Sequence, residues 1–185
     1  NGFIIGGYTS SFGQGSYDGW IIKVDSIGNI EWHKVIGSTG TDYIESIQQT
    51  SDAGYIMAGY YDPDETEVYD LWVIKMDTNG DVEWQYTYGD EGSEWAESIL
   101  QTEDGGYIVC GDTNSVGNGG YDILVLKLAG NGDVEWQKTY GSTGDDRARY
   151  IQGTSDGGYI LSGYTNSYGA GESDIWVIKL NESGE

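Results

Sequence analysis

Four aspartates, Asp18, Asp70, Asp122 and Asp174, stand 52 residues apart, each at the start of an apolar run. Carboxylates at so regular a spacing are the first place to look for chemistry. More acids recur in three polar, glycine-bounded segments, 37–42, 89–94 and 141–146, which supply Asp42, Glu94, Asp145 and Asp146. Gathered on one rim, such hard oxygen ligands could hold calcium, the one metal the sequence suggests. None of them lies in a dense ligand loop, however, and aspartate at a strand entry commonly caps backbone N–H groups, so capping is the favoured role. Asp62 and Asp64 belong to the acidic stretch 62–67, whose counterparts elsewhere are glycine, serine and asparagine, and they join the candidate binding residues.

The remaining reactive side chains are solitary. His33 has glutamines, Gln85 and Gln137, at its equivalent positions and no histidine partner, so it reads as a solvent-facing strand residue. Cys110, flanked by Val109 and Gly111, reads as a small buried core residue, and a single cysteine forms no intrachain disulfide. Arg147 and Arg149 are expected to neutralise the adjacent Asp145 and Asp146. No catalytic constellation or cofactor motif emerges, and the expectation is a protein that is not an enzyme.

The elements that position these residues are strands. Trp32, Trp84 and Trp136 share the 52-residue spacing, as do Gly7, Gly59, Gly111 and Gly163, and Lys23, Lys75, Lys127 and Lys179. Phase locking of this kind identifies a repeat architecture. Each period reads as four strands, with an Asp-Gly type turn between the first and second and a nine-residue loop (9–17, 61–69, 113–121, 165–173) between the second and third. A loop of fixed length and drifting chemistry is where recognition usually sits. The third and fourth strands form a hairpin in which Gly28, Gly80 and Gly132 take the left-handed position of a three-residue turn. Counting from that turn sets Val24 opposite Ile30, Lys23 opposite Glu31 and Ile22 opposite Trp32, with Trp20 on the same face as Trp32. Lys75–Glu83 and Lys127–Glu135 follow as register-setting pairs, and both tryptophan rows become packing between repeats rather than a sugar-stacking stripe.

Composition narrows the function classes. Eight lysines and arginines face 31 acidic residues, a net charge of −23 on 185 residues. A polyanion of this size repels nucleic acid and anionic membrane and tolerates or seeks cations and salt. No apolar run approaches the roughly 18 residues of a membrane span, and no signal peptide is visible. Thirty-one glycines and 23 tyrosines and tryptophans, against one proline, suit many short strands joined by turns.

Four antiparallel strands every 52 residues fit an all-β propeller blade better than a solenoid or sandwich. The segments are a partial repeat 1–45, full repeats 46–97 and 98–149, and a partial repeat 150–185, about 3.5 repeats of one continuous propeller segment. The run Asp-Gly-Gly-Tyr-Ile (156–160), Gly-Tyr-Thr-Asn-Ser (163–167), Asp-Ile-Trp-Val-Ile-Lys-Leu (174–180) and Asn-Gly-Asp-Val-Glu-Trp-Gln-Lys-Thr-Tyr-Gly (131–141) resembles the SBBP-type β-propeller repeats of secreted and surface proteins of archaea and bacteria. The kelch family is a weaker match, since the double glycine Gly6–Gly7 is Ala58–Gly59, Cys110–Gly111 and Ser162–Gly163 elsewhere. The SBBP resemblance implies an extracellular or cell-surface scaffold and carries no catalytic residues. Because the chain starts at a second strand and ends after a third, it is expected to be a piece of a larger ring or to close through further repeats or self-association. The leading expectation is a non-enzymatic interaction module binding protein or glycan through acidic rim loops. The alternatives are an enzyme using a rim site near the stretch 62–67 and a subunit of a surface layer or filament.

Overall fold

The computed structural model describes residues 2–185 and is all-β, with fourteen strands in four antiparallel sheets and no helix among the described residues. The first sheet holds β1 (Gly2–Thr9), β2 (Asp18–Asp25) and β3 (Ile30–Ile36). The second runs β4 (Tyr43–Gln49), β5 (Tyr55–Tyr61), β6 (Asp70–Met76) and β7 (Val82–Tyr88). The third repeats it as β8 (Glu94–Gln101), β9 (Tyr107–Thr113), β10 (Asp122–Leu128) and β11 (Val134–Tyr140). The fourth has β12 (Asp146–Gly153), β13 (Tyr159–Thr165) and β14 (Asp174–Leu180). Every sheet is a simple meander, so strand neighbours in sequence are neighbours in space.

Successive sheets pack face to face, with β4 on β1, β8 on β5 and β12 on β9. Alternation along the strands sends one set of apolar residues forward and the other back. Between the first two sheets Ile21 meets Ile44, Met57, Trp72 and Ile74. The same positions in the next interface are Leu71 and Val73 against Ala96, Val109, Leu124 and Leu126, and in the last Ile123 and Val125 against Ala148, Ile151 and Leu161. Cys110 sits fully buried in this last interface, as its apolar neighbours imply, and burial raises its thiol pKa. His33 is exposed, as expected, and accepts a 3.4 Å hydrogen bond from Trp20 Nε1.

The turn between the third and fourth strands of each repeat has the expected form: Gly28, Gly80 and Gly132 lie at φ 89°, 77° and 89°. In the first, Gly28 N–H donates to Asp25 O and Asp25 N–H to Asn29 O, the three-residue turn with its glycine bulge. Beyond the turn the register departs from simple counting. Val24 pairs with Ile30, but Lys23 pairs with Trp32, because Glu31 is an extra residue bulged out of the ladder; Glu83 and Glu135 do the same. The slip reverses the face of every residue after it. Trp32, Trp84 and Trp136 therefore point toward the following sheet, whereas Trp72 and Trp176 pack against the preceding one. Both rows serve inter-sheet packing, from opposite faces.

The bulges still deliver the expected ion pairs. Lys23 Nζ lies 2.6 Å from Glu31, Lys75 Nζ 2.7 Å from Glu83 and Lys127 Nζ 2.9 Å from Glu135. Lys75 and Lys127 are nearly buried and each gains a second carboxylate at 2.9 Å, Asp52 and Asp104, from the turn of the first hairpin. Each ammonium also donates to a backbone carbonyl, Met76 O or Leu128 O, which makes it a clamp on two turns rather than a simple cross-strand pair.

Candidate functional site

The long loops and the inter-repeat connectors do emerge on one rim, and backbone hydrogen bonds join them. Asp42 N–H donates to Tyr17 O, Glu94 N–H to Tyr69 O and Asp146 N–H to Tyr121 O. A second set of bonds reaches the next repeat, with Asn114 N–H donating to Ser93 O and Asn166 N–H to Asp145 O.

Most of the sequence-selected carboxylates turn inward here as caps. Asp18 accepts from Gln14 and Gly15 N–H, Asp122 from Asn118 N–H at 2.7 Å and Asp174 from Ala170 N–H at 3.0 Å. Asp42 accepts from the amides of Ser38 and Asp62, and Asp146 from Ser142 N–H and the hydroxyls of Thr165 and Ser167. Asp145 accepts from Tyr121 N–H. Asp62 is almost wholly buried and accepts from the amides of Asp64, Thr66 and Glu67, so the acidic loop is built around its own cap while Asp64 stays exposed.

Two carboxylates converge on the connector glycine in each complete junction: Asp18 and Asp42 on Gly37, Asp70 and Glu94 on Gly89, Asp122 and Asp146 on Gly141. Burial pushes the carboxyls of Asp42, Asp70 and Asp122 up, with the facing acid adding to the rise. Burial also works against the charge of Asp146, but hydrogen bonds from Ser167, Thr165 and Ser142 outweigh it and hold that carboxyl low. Among the described residues no three His, Cys, Asp or Glu side chains group as metal ligands.

Above these caps lies a feature that residue-by-residue reading missed. Tyr8, Tyr17, Tyr43, Tyr60, Tyr69, Trp95 and Tyr121 form an unbroken arc of ring contacts along the rim. The tightest are Tyr8–Tyr43, with centroids 4.1 Å apart, and the stacked pair Tyr43–Tyr60 at 4.7 Å. These rings come from three repeat positions: the end of the second strand, the last residue of the long loop and the start of the first strand of the next sheet. The arc ends where the pattern changes, since Arg147 replaces the aromatic of Tyr43 and Trp95, and Asp112 replaces the tyrosine of Tyr8, Tyr60 and Tyr164. The Arg147 guanidinium lies 3.7 Å from the Tyr121 ring centroid and 5.5 Å from that of Trp95.

That substitution also redirects the arginines. They were expected beside Asp145 and Asp146, but Arg147 pairs instead with Asp112 at 3.5 Å, and Arg149 with Glu97 and, at 4.0 Å, Asp112. Strand alternation carries the two guanidinium groups away from the connector toward the neighbouring sheet. Asp112 is fully buried and also accepts from Ala148 N–H at 2.8 Å. Burial drives its carboxyl up to about 7 against the pull of that amide and the arginines.

Strands β4, β8 and β12 each carry a bulge of their own, and the extra residues are Glu45, Glu97 and Arg149. A bulge re-aims the side chain it inserts, and here it lines up two carboxylates and one guanidinium beside the arc. An open trough of about 880 Å³ follows β4, β8 and β12, lined in part by Ser46, Gln48, Gln101, Tyr150 and Gln152.

No family model matches the chain, and no curated protein sequence matches it.

Proposed function

We propose that the four sheets are blades of a β-propeller and that the protein is a non-enzymatic, extracellular or cell-surface interaction module whose rim binds a protein or glycan. The stacked meanders with adjacent inner strands support the propeller reading, as does the resemblance to SBBP-type repeats. The aromatic arc is the observation that carries the binding function. It sets seven large amphipathic rings side by side on strand ends and on loops held by hydrogen bonds, and ring faces of this kind recognise sugars and peptides alike. Glycan and peptide arrays probed with this chain are expected to yield ligands whose binding drops about tenfold in Tyr43→Ala and Tyr60→Ala, the usual range for losing a central aromatic contact. Arrays without a hit, or ligands indifferent to both substitutions, overturn the reading.

A second reading, self-assembly, rests on the uncovered outer faces. Ile175 and Val177 are 86% and 56% exposed, whereas Ile123 and Val125 at the same positions of the third sheet are 0% exposed under the fourth. At the other end Phe3 is 64% exposed where Tyr55 is 3%. A second copy or further repeats would cover both faces just as one sheet covers the next within the chain. Sedimentation should then show concentration-dependent association that Val177→Asp abolishes. A wild-type chain that stays monomeric at high micromolar concentration refutes self-assembly.

A further inference from the structure

We propose that the aromatic arc, together with Glu45 and Glu97, is a docking site for a cationic peptide segment, one that presents arginine or lysine side chains to the tyrosine faces. The inference rests on the reading of this rim as the binding face and assigns the chemistry of its ligand.

The chain itself supplies the template. At the end of the arc a guanidinium already occupies a ring-lined seat, Arg147 over Tyr121 and Trp95, with Asp112 as its counter-charge. Next to it Arg149 lies 5.4 Å from the Tyr164 ring and pairs with Glu97. Two repeats earlier the position of this second seat keeps its ring, Tyr60 for Tyr164, but carries an acid in place of the cation. Glu45 stands where Arg149 does, beside Tyr60, and the bulged residue of the next sheet, close enough to act on its carboxyl, is Glu97, another acid. Among the described residues no lysine or arginine pairs with Glu45. Burial raises its carboxyl and the Glu97 charge raises it further, with Arg149 offsetting the two only in part.

Ring faces and an unpaired carboxylate together select for positive charge. A cation gains from the ring quadrupole and from the acid at once, and both gains grow where water is partly excluded. A neutral sugar would use the rings and leave Glu45 and Glu97 as they are. The exposed acids Asp64, Glu65 and Glu67 on the adjoining loop, and the net charge of −23, would steer a basic segment to this rim.

The test titrates the protein with hexa-arginine, with an uncharged Gly-Ser hexapeptide and with chitohexaose, following tryptophan fluorescence and calorimetry at low and moderate salt. Glu45→Gln is compared with a charge-matched control at the opposite rim, Glu103→Gln, and thermal unfolding confirms that both variants fold. Hexa-arginine should bind, lose about fivefold in affinity in Glu45→Gln and change less than about twofold in the control. Tyr60→Leu should weaken it comparably. Equal losses in Glu45→Gln and the control mean diffuse attraction to a polyanion and overturn the proposal. Chitohexaose binding that depends on Tyr60 while hexa-arginine fails to bind overturns the cationic ligand but keeps the rim as the binding face. Binding of neither probe removes the cationic assignment, and the arrays then decide the rim itself.

Discussion

Replacing Gly111 with alanine should lower the midpoint of thermal unfolding by about 6–12 °C, while the same change at Gly7 should leave it within about 2 °C or raise it slightly. The four glycines of this series are identical in sequence terms, and the structure separates them. A Cβ on Gly111 would be driven into the carbonyl oxygen of Trp95, and those on Gly59 and Gly163 into the carbonyls of Tyr43 and Arg147. The bulge of β4, β8 or β12 is the cause, because it swings the carbonyl two residues ahead of Glu45, Glu97 or Arg149 over the glycine of the paired strand. The collision is with backbone on both sides, so no rotamer relieves it, and a cost of about 3 kcal/mol is the upper part of the range for overpacking. Gly7 has no atom within 4 Å of the added carbon. Calorimetry on the two variants checks the contrast. Equal shifts would mean that the close approach does not govern stability.

The protein should also be more stable at pH 5 than at pH 8, with Asp112→Asn removing much of the difference. Asp112 titrates near 7 when folded, against an ordinary value of 3.8. Between roughly pH 4 and 7 the folded chain therefore binds a proton that the unfolded chain has released, so stability falls as pH rises through that window. A gap of about three units corresponds to at most about 4 kcal/mol. The raised carboxyls of Asp42, Asp70, Asp122 and Glu45 act in the same direction. The opposite limb comes from Asp52 and Asp104, held down to about 2 by the hydroxyls of Thr50 and Thr102 and by Lys75 and Lys127. Their contribution is complete above pH 4 and is lost as pH falls through 2, which sets the maximum between the two limbs. Chemical denaturation from pH 3 to 9 measures both slopes. A wild-type optimum at pH 8, or an Asp112→Asn profile parallel to wild type, would remove Asp112 from this role.

What could be read in advance was local and repeated. Turn glycines declare themselves because a positive φ at Gly28, Gly80 and Gly132 favours that residue, and the 52-residue phase fixed the strand order. The one-residue slip at Glu31 was not legible, because a bulge is a property of two paired strands and glutamate carries no sign of it. Arg147 and Arg149 misled for a related reason: acids adjacent in sequence lie on a connector, while their partners Asp112 and Glu97 come from the neighbouring sheet. The aromatic arc was visible as rows of tyrosine at repeat spacing. Recognising it as one surface required the docking of the loop ends onto β4 and β8, which no periodicity reports.

Cys110 lies between the third and fourth sheets with no solvent contact, and it is the only thiol in the sequence. A maleimide or iodoacetamide reagent can reach it only when those two sheets part. Its modification rate is therefore a clock for one interface of the stack, readable by mass spectrometry in the native protein. A ligand that bridges the third and fourth sheets would slow that clock without touching the sulfur.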